Sequence, residues 1–160
     1  MVRDGKRYYR TGDDVFVDAD GRYHFVGRRD DCVKIEGVRL QLSEVERLLE
    51  SRPEVQRAVA FVVRDAASRT RVAAVVQTDQ APSLAHAEAL REFAVQQLPA
   101  IAVPIALLIT PQLPRASSGK TDIRSLATRA QAAITQGKGR AFRLDDETIT
   151  PLTAPEERLA

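Results

Sequence analysis

Residues 55–77 read VQRAVAFVVRDAASRTRVAAVVQ, in which two long apolar runs flank one polar turn. The first run covers residues 55–63 and the second covers residues 71–77. Continuous apolar runs of this length, rich in Val and Ala, are typical of strands that are buried on both faces. The polar residues 64–70 between them predict a turn. We therefore expect two well-buried strands here.

The segments on either side of these strands add helices and a further strand. Ser43, with Glu46 three positions later, matches a capping box and predicts that a helix begins there. Residues 84–98 place apolar side chains at helical spacing, and Pro99 ends that pattern. Residues 105–109, IALLI, predict another buried strand. The expected fold class is α+β, a small mixed sheet with helices packed on it.

The N-terminal part of the chain predicts hairpins. An Asp-Gly pair at residues 20–21 lies between the apolar runs 15–17 and 23–26, which is a strong hairpin signal. An isolated hairpin is marginally stable in water, so this one is expected to belong to a larger N-terminal subdomain. Residues 27–42 alternate about Gly37 and predict a strand, a tight turn and a second strand.

The pattern weakens towards the C-terminus. Residues 114–121, PRASSGKT, predict a loop with no apolar anchor in its middle. Asp122 is expected to cap a last helix that runs through Leu126. From residue 131 onward the periodicity decays, and a flexible linker is expected over residues 129–149.

Composition excludes several classes of function. The 160 residues carry a formal net charge of +2, which gives no reason to expect a nucleic acid or an anionic membrane as partner. The single cysteine, Cys32, permits no internal disulfide and fits a reducing cytoplasm. His24 and His86 have no partners at ligand spacing, so no metal site is proposed.

The sequence SGKT at residues 118–121 follows a predicted strand and precedes a predicted helix, as a P-loop does. A Walker motif requires a glycine five positions before Gly119, where backbone N–H groups wrap the phosphates. That position is Pro114, which has no N–H. The P-loop interpretation therefore fails, and the short motif taken alone favours a solvated surface lysine at Lys120.

Three motifs in order change this interpretation. Residues 9–13 read YRTGD, and residues 27–46 read GRRDDCVKIEGVRLQLSEVE. Leu98-Pro99 with Pro104, then Leu113-Pro114, then Ser118-Gly119-Lys120, complete the set. Together they resemble the YRTGD, hinge and LPxxxxP…LPxxxSGK motifs of adenylate-forming enzymes. The resemblance covers roughly residues 8–126.

The resemblance implies an activity. The family activates a carboxylate with ATP and Mg, which gives an acyl adenylate and pyrophosphate, and then passes the acyl group to the thiol of phosphopantetheine or CoA. It implies that Lys120 stabilises the charge that develops during adenylation. It also implies that a mobile lid carries this lysine into the site for one step and out for the next.

Other residues receive roles from the same resemblance. Asp13 matches the acid that accepts hydrogen bonds from the ATP ribose, and Arg28 matches a residue near the ribose and the hinge. Asp30 matches the hinge residue. Gly37 lies on the loop that approaches the pantetheine arm. Taken alone, Asp13 could cap a turn, Arg28 could form a surface salt bridge and Gly37 could serve a plain turn.

The resemblance also implies a domain division. Residues 1–29 would be the last strands of the large adenylation subdomain, and residues 30–128 the C-terminal lid. Residues 129–149 would be a linker, and residues 150–160, which include TAPEERLA, would begin a carrier domain. The expected partners are that large subdomain and an acyl or peptidyl carrier protein.

The motifs depart from the family pattern in places, and this affects the substrate rather than the family. Asp14 stands where Leu is common, Glu36 where Arg is common, and Ser118 replaces a frequent Asn. Three functions stay open. The chain could be the lid of a nonribosomal peptide synthetase, the lid of a free-standing acyl-CoA or fatty-acyl-AMP ligase, or a carrier-protein docking module without catalysis. On its own the fragment is expected to be inactive.

Overall fold

The computed structural model describes residues 2–3, 5–9, 11–28, 32–137, 140–145 and 148–153. The chain divides into two compact units, Met1–Gln41 and Leu42–Ala160. The domain division after residue 29, which the resemblance implies, stays a prediction.

The first unit consists of short antiparallel strand pairs. Strands β1 and β2 form one pair, β3 and β4 a second, and β5 and β6 a third. Their bounds are β1 Val2–Arg3, β2 Lys6–Arg7, β3 Asp13–Val17, β4 Tyr23–Arg28, β5 Cys32–Ile35 and β6 Val38–Gln41. Both predicted hairpins are thus confirmed.

The turn between β3 and β4 is built by Asp18. Its Oδ1 accepts hydrogen bonds from the backbone N–H groups of Asp20 and Arg22, at 3.0 and 2.9 Å. Gly21 adopts φ +77°, a left-handed conformation that glycine adopts without steric cost. Several apolar side chains of this hairpin stay exposed: Val15, Phe16, Val17 and Tyr23.

The second unit contains three helices and the remaining five strands that the structure describes. In chain order these are α1 Leu42–Glu50, β7 Arg57–Arg64, β8 Thr70–Gln77, α2 Leu84–Gln97, β9 Ala106–Thr110, α3 Ile123–Thr135, β10 Ala141–Leu144 and β11 Ile149–Pro151. The strands form one sheet in the order β11-β10-β9-β8-β7. The central pairs β8–β9 and β9–β10 are parallel, and the outer pairs are antiparallel, so the sheet is mixed as predicted.

Both faces of this sheet are buried. Helix α3 packs against alternate residues of the strands, in a core cluster centred on Phe61, Leu108, Leu126 and Phe142. The intervening strand residues, such as Val72 and Leu107, are also buried, as are Val45 and Leu49 of α1 and Leu90 of α2. The continuous apolar runs of the sequence follow directly from this two-sided burial.

The predicted capping box at the start of α1 is wrong. The helix begins at Leu42, one residue before Ser43, so Ser43 lies within the first turn. The Oγ of Ser43 is buried and has no hydrogen-bond partner among the described residues, so it caps no N–H of the helix. The Oε1 of Glu46 accepts the backbone N–H of Ala60 on β7 at 2.9 Å, because an unpaired N–H of a sheet edge is a strong competing donor.

This bond belongs to a set that covers the β7 edge of the sheet. Glu50 Oε1 accepts the Ala58 N–H at 2.9 Å, on the same edge as the Glu46 bond. Gln131 of α3 accepts the Arg64 N–H and donates to the Arg64 carbonyl, at 2.6 and 2.9 Å. Side chains therefore satisfy backbone groups that would otherwise pair with another strand.

The predicted linker over residues 129–149 is corrected in two segments. Helix α3 begins where expected, with Asp122 accepting the Ser125 N–H at 3.0 Å, but it continues past Leu126 to Thr135. Strand β10 then adds to the sheet beside β9. Phe142 is completely buried there. The short apolar segment of β10 gave no periodic signal because only four residues are involved.

The β10–β11 connection is also tied to α3. The Nη2 of Arg129 donates to the backbone carbonyls of Asp145 and Thr148, at 2.7 and 3.3 Å. A guanidinium can bind two carbonyls at once because its donors point in fixed directions.

None of the helices that the structure describes has both the length and the apolar composition that crossing a bilayer requires.

Candidate functional site

The loop that carries Lys120 is anchored in the core at both ends. Leu113 precedes it, Leu126 follows it, and both side chains are buried in the cluster that also holds Phe142. The lysine itself is exposed. A position fixed at both stems and exposed at the tip suits a side chain that acts outside its own domain.

Backbone hydrogen bonds close the loop on itself. The N–H of Asp122 donates to the carbonyl of Pro114 at 3.0 Å, and the N–H of Ala116 donates to the carbonyl of Lys120 at 2.8 Å. The Gly119 N–H donates to the Ala116 carbonyl at 2.8 Å, which closes a four-residue turn. The sequence predicted a loop without an apolar anchor, and hydrogen bonds supply the order instead.

Gly119 is required for this turn by its backbone conformation. Its φ is +79°, and a Cβ built on it would meet no heavy atom within 4 Å. Space therefore does not restrict the residue at this position. The restriction comes from the left-handed conformation, because an L-residue with a Cβ adopts it only at a cost in free energy.

The charges around the loop are predominantly positive. Arg115, Lys120 and Arg124 are all exposed, and the Asp122 carboxylate caps α3. The Lys120 ammonium forms no ion pair or hydrogen bond with the residues that the structure describes. An exposed ammonium without a carboxylate partner among the described residues is suited to a ligand with negative charge, such as a phosphate.

The two residues predicted to lie at the ATP ribose are neighbours in the structure. Asp13 and Arg28 are Cα partners in the register of β3 with β4. The Asp13 N–H donates to the Thr11 Oγ1 at 3.3 Å, and Asp13 is partly buried. The structure brings these two backbone positions together at one end of the hairpin.

Gly37 lies at the tip of the β5–β6 hairpin. Glu36 and Gly37 form a two-residue turn with φ values of +48° and +86°. Positive φ at both positions is the type I′ geometry that joins antiparallel strands tightly. Gly37 is exposed, and a Cβ on it would meet no heavy atom within 4 Å. The hinge candidate, Asp30, lies outside the described residues.

Sequence reasoning missed one residue of the Lys120 loop. The Arg115 Nη1 donates to the carbonyl of Gly119 at 3.2 Å. The signal was a cationic side chain in a loop of otherwise small residues, but its partner is a backbone carbonyl, which a sequence does not mark. Among the described residues, no group of three or more His, Cys, Asp or Glu side chains could hold a metal ion.

The comparison with family models gives one match. The model of the AMP-binding enzyme C-terminal domain matches residues 44–120, which end at the exposed lysine. The chain belongs to the AMP-binding enzymes, as their C-terminal domain. The end of the matched region coincides with the loop whose geometry is described above.

Curated relatives of this AMP-binding enzyme C-terminal domain include nonribosomal peptide synthetases. A dimodular nonribosomal peptide synthase from Bacillus subtilis (strain 168) is 37% identical over 136 residues, which are 84% of the chain and 6% of that protein. Enterobactin synthase component F from Escherichia coli (strain K12) is 36% identical over 152 residues, 91% of the chain and 11% of that protein. The chain thus spans only a small part of the length of these relatives.

Solved structures of ligases share the fold. The anthranilate CoA ligase AuaEII, in complex with anthranoyl-AMP, aligns with a TM-score of 0.63 and 30% identity over 77% of the chain and 24% of that structure. The amide bond synthetase McbA from Marinactinospora thermotolerans aligns with a TM-score of 0.62 and 28% identity over 79% and 25%. These neighbours confirm the α+β class, with a mixed sheet flanked by helices.

Proposed function

We propose that this C-terminal domain is the mobile lid of an ATP-dependent ligase that forms an acyl or aminoacyl adenylate, with Lys120 as its catalytic residue. The observation that carries the proposal is the Lys120 loop, hydrogen-bonded within itself, anchored at both stems and exposed at its tip. Its ammonium has no partner among the described residues, so it remains available for a ligand that another part of the enzyme presents.

The first half-reaction explains why a lysine is needed. A carboxylate oxygen of the substrate attacks the α-phosphorus of ATP, a bond to that phosphorus forms, and the bond to the bridging oxygen of pyrophosphate breaks. The electron pair of the broken bond stays on the pyrophosphate oxygen, so negative charge is concentrated on the α-phosphate oxygens and on the leaving group. An ammonium held near that charge in a closed, dry site lowers the barrier.

The second half-reaction would use the turn at Gly37. A phosphopantetheine thiolate attacks the acyl carbon, and AMP leaves. Open space over Gly37 and its exposure support the close approach of such an arm to the backbone there. Asp13 and Arg28, which are register partners, would lie at the ATP ribose. Asp30 would be the hinge about which the lid turns, and ATP with Mg would be held mainly by the large subdomain.

The domain context is part of the proposal. The exposed apolar residues of the β3–β4 hairpin support its assignment to a larger N-terminal subdomain, because an isolated hairpin is marginally stable in water and neighbouring exposed apolar side chains mark a surface that another domain covers. Strand β11 takes residues 150 and 151 into the sheet, so the carrier domain predicted to begin at residue 150 would begin after Pro151. The partners would then be the large adenylation subdomain and an acyl or peptidyl carrier protein.

The identity of the acceptor is argued from two groups of relatives. The curated relatives include nonribosomal peptide synthetases, which favours phosphopantetheine on a carrier protein. A CoA ligase among the structural neighbours favours free CoA as the second candidate. Supplying the adenylate-forming mixture with either CoA or a phosphopantetheinylated carrier, and measuring thioester by mass spectrometry, distinguishes them.

A complementation assay tests the lid function. The 160-residue chain is mixed with the large N-terminal subdomain of an adenylate-forming ligase, with ATP, Mg and the substrate acid, and pyrophosphate release is measured. The mixture should exceed the sum of the two parts. The Lys120→Ala chain should lose about 100-fold or more of that gain.

A matched control is Lys34→Ala, which removes another exposed lysine and should retain the gain. Equal activity of the Lys120→Ala and wild-type chains would contradict the catalytic assignment and favour a docking module without catalysis. No gain on mixing would contradict the lid function itself.

A further inference from the structure

The side chain of Arg115 holds the peptide group that precedes Lys120. Its Nη1 donates to the Gly119 carbonyl oxygen at 3.2 Å. That carbonyl and the N–H of Lys120 belong to the same planar peptide unit. The hydrogen bond therefore restricts the rotation of this plane, and with it the φ angle of Lys120.

The peptide group that follows Lys120 is held as well. The Lys120 carbonyl accepts the Ala116 N–H at 2.8 Å. The two planes on either side of a Cα atom set φ and ψ, and these set the direction of the Cα–Cβ bond. Both planes around Lys120 are thus hydrogen-bonded within the loop, one by backbone and one by a side chain.

We infer that Arg115 is a positioning residue that sets the direction in which Lys120 leaves the loop. The inference rests on the proposed function, in which the Lys120 ammonium must reach a charged phosphate outside its own domain. A misplacement of about 1 Å in a catalytic group can lower a rate about 100-fold. A guanidinium suits the task because it is planar and its donors point in fixed directions.

Arg115 could also act only through its charge, as a second cation on the loop. The two roles give different mutant patterns. Arg115→Lys keeps the positive charge and loses the planar donor group. Arg115→Met keeps an unbranched side chain of similar size but loses both the charge and the donor group. Arg124→Met is the matched control, because it removes one exposed guanidinium from the start of α3, close to the same loop.

The first measurement requires no activity. Backbone ¹⁵N relaxation on the 160-residue chain reports the order parameter of the Lys120 N–H bond. Arg115→Met should lower it from a value typical of rigid backbone, about 0.85, to below about 0.6, while signals from β8 and β9 stay unchanged. Arg115→Lys should give an intermediate value and Arg124→Met the wild-type value. An unchanged order parameter in Arg115→Met would overturn the inference.

The second measurement separates positioning from charge in the complementation assay. Arg115→Met should lower kcat for pyrophosphate release roughly 10-fold with KM for ATP within about twofold, and Arg115→Lys should recover only part of the loss. Full recovery in Arg115→Lys, or an equal loss in Arg124→Met, would assign the effect to charge and overturn the inference. If Lys120→Ala itself keeps full activity, the proposed function fails, and the relaxation data still decide whether Arg115 orders the loop.

Discussion

The two compact units differ in how they treat their apolar side chains. In the second unit, strands β7 to β10 bury nearly all of theirs under helices on both faces, and Phe142 is 0% exposed. In the first unit, the β3–β4 hairpin leaves Phe16 55% exposed and Tyr23 77% exposed. The second unit supplies its own core, whereas the hairpin of the first displays the kind of surface that another domain covers. The comparison teaches that local pairing forms a hairpin, but only layers on both faces form a core.

The difference in burial between the two units predicts a large difference in stability between two matched variants. Phe142→Ala should lower the free energy of unfolding by about 3 to 5 kcal/mol, because it empties a completely buried site. Phe16→Ala, which removes the same ring from the exposed hairpin, should change it by about 0.5 kcal/mol or less. Urea denaturation followed by circular dichroism measures both. Similar losses in the two variants would show that the hairpin residue is buried in solution.

A smaller effect is expected at the edge of the sheet. Glu46→Ala removes the acceptor of the Ala60 N–H and should cost about 1 to 3 kcal/mol, the cost of an unsatisfied, partly buried donor. Glu46→Gln keeps an oxygen at the same place and should lose much less. Denaturant midpoints compare the pair, and a loss in Glu46→Gln equal to that in Glu46→Ala would show that the charge matters rather than the acceptor.

Each unit contains a tight turn whose glycine has a positive φ, so the same substitution can be compared in the two units. Gly119→Ala and Gly37→Ala each place a Cβ in open space at positive φ, so each should cost about 1 kcal/mol through the backbone alone. Gly119→Ala should also disorder the Lys120 turn, whereas Gly37→Ala should not. Thermal unfolding and ¹⁵N relaxation of Lys120 test the two parts, and an unchanged Lys120 signal in Gly119→Ala would contradict the second.

The smallest effect concerns pH. Hydrogen bonds from the Arg69 backbone N–H, and further from the Arg69 guanidinium and the Ala67 N–H, lower the pKa of Asp65 below its usual value, against the opposing effect of burial. In the first unit the hydrogen bond with His24, and those from the Arg22 and Asp20 N–H groups, lower the pKa of Asp18 in the same way.

The lowered pKa values of these two carboxyl groups set the direction in which stability changes with pH. The unfolded chain, with the ordinary aspartate pKa of about 3.9, binds protons first as pH falls, so stability that is full above that value is lost below it. Asp65→Asn keeps the oxygen that accepts the backbone N–H groups and should show a weaker loss between about pH 4 and pH 2. Thermal unfolding across this range measures it, and an identical pH profile in the variant would contradict the shift.

Sequence reasoning reached most of the fold where the signal was long or local. The buried strands β7 and β8, helix α2 and the Gly21 and Gly37 turns followed from apolar runs, helical spacing and turn residues. The prediction failed where the contacts of a residue are made with a partner that is distant in the sequence. Glu46 has an obvious local partner in Ser43, yet it binds the β7 edge, 14 residues away. Phe142 lies in a segment too short to show periodicity, although the sheet needs it.

The family, the mixed α+β class and the candidate lysine could all be predicted from the sequence, because they depend on residue types at fixed spacing along the chain. The folded chain was needed to show that α3 continues to Thr135, that β10 and β11 extend the sheet, and that Arg115 and Ala116 hold the peptide groups around Lys120. The physical reason is that hydrogen bonds to backbone and burial in a shared core depend on distances in space, and backbone groups are the same at every position of a sequence.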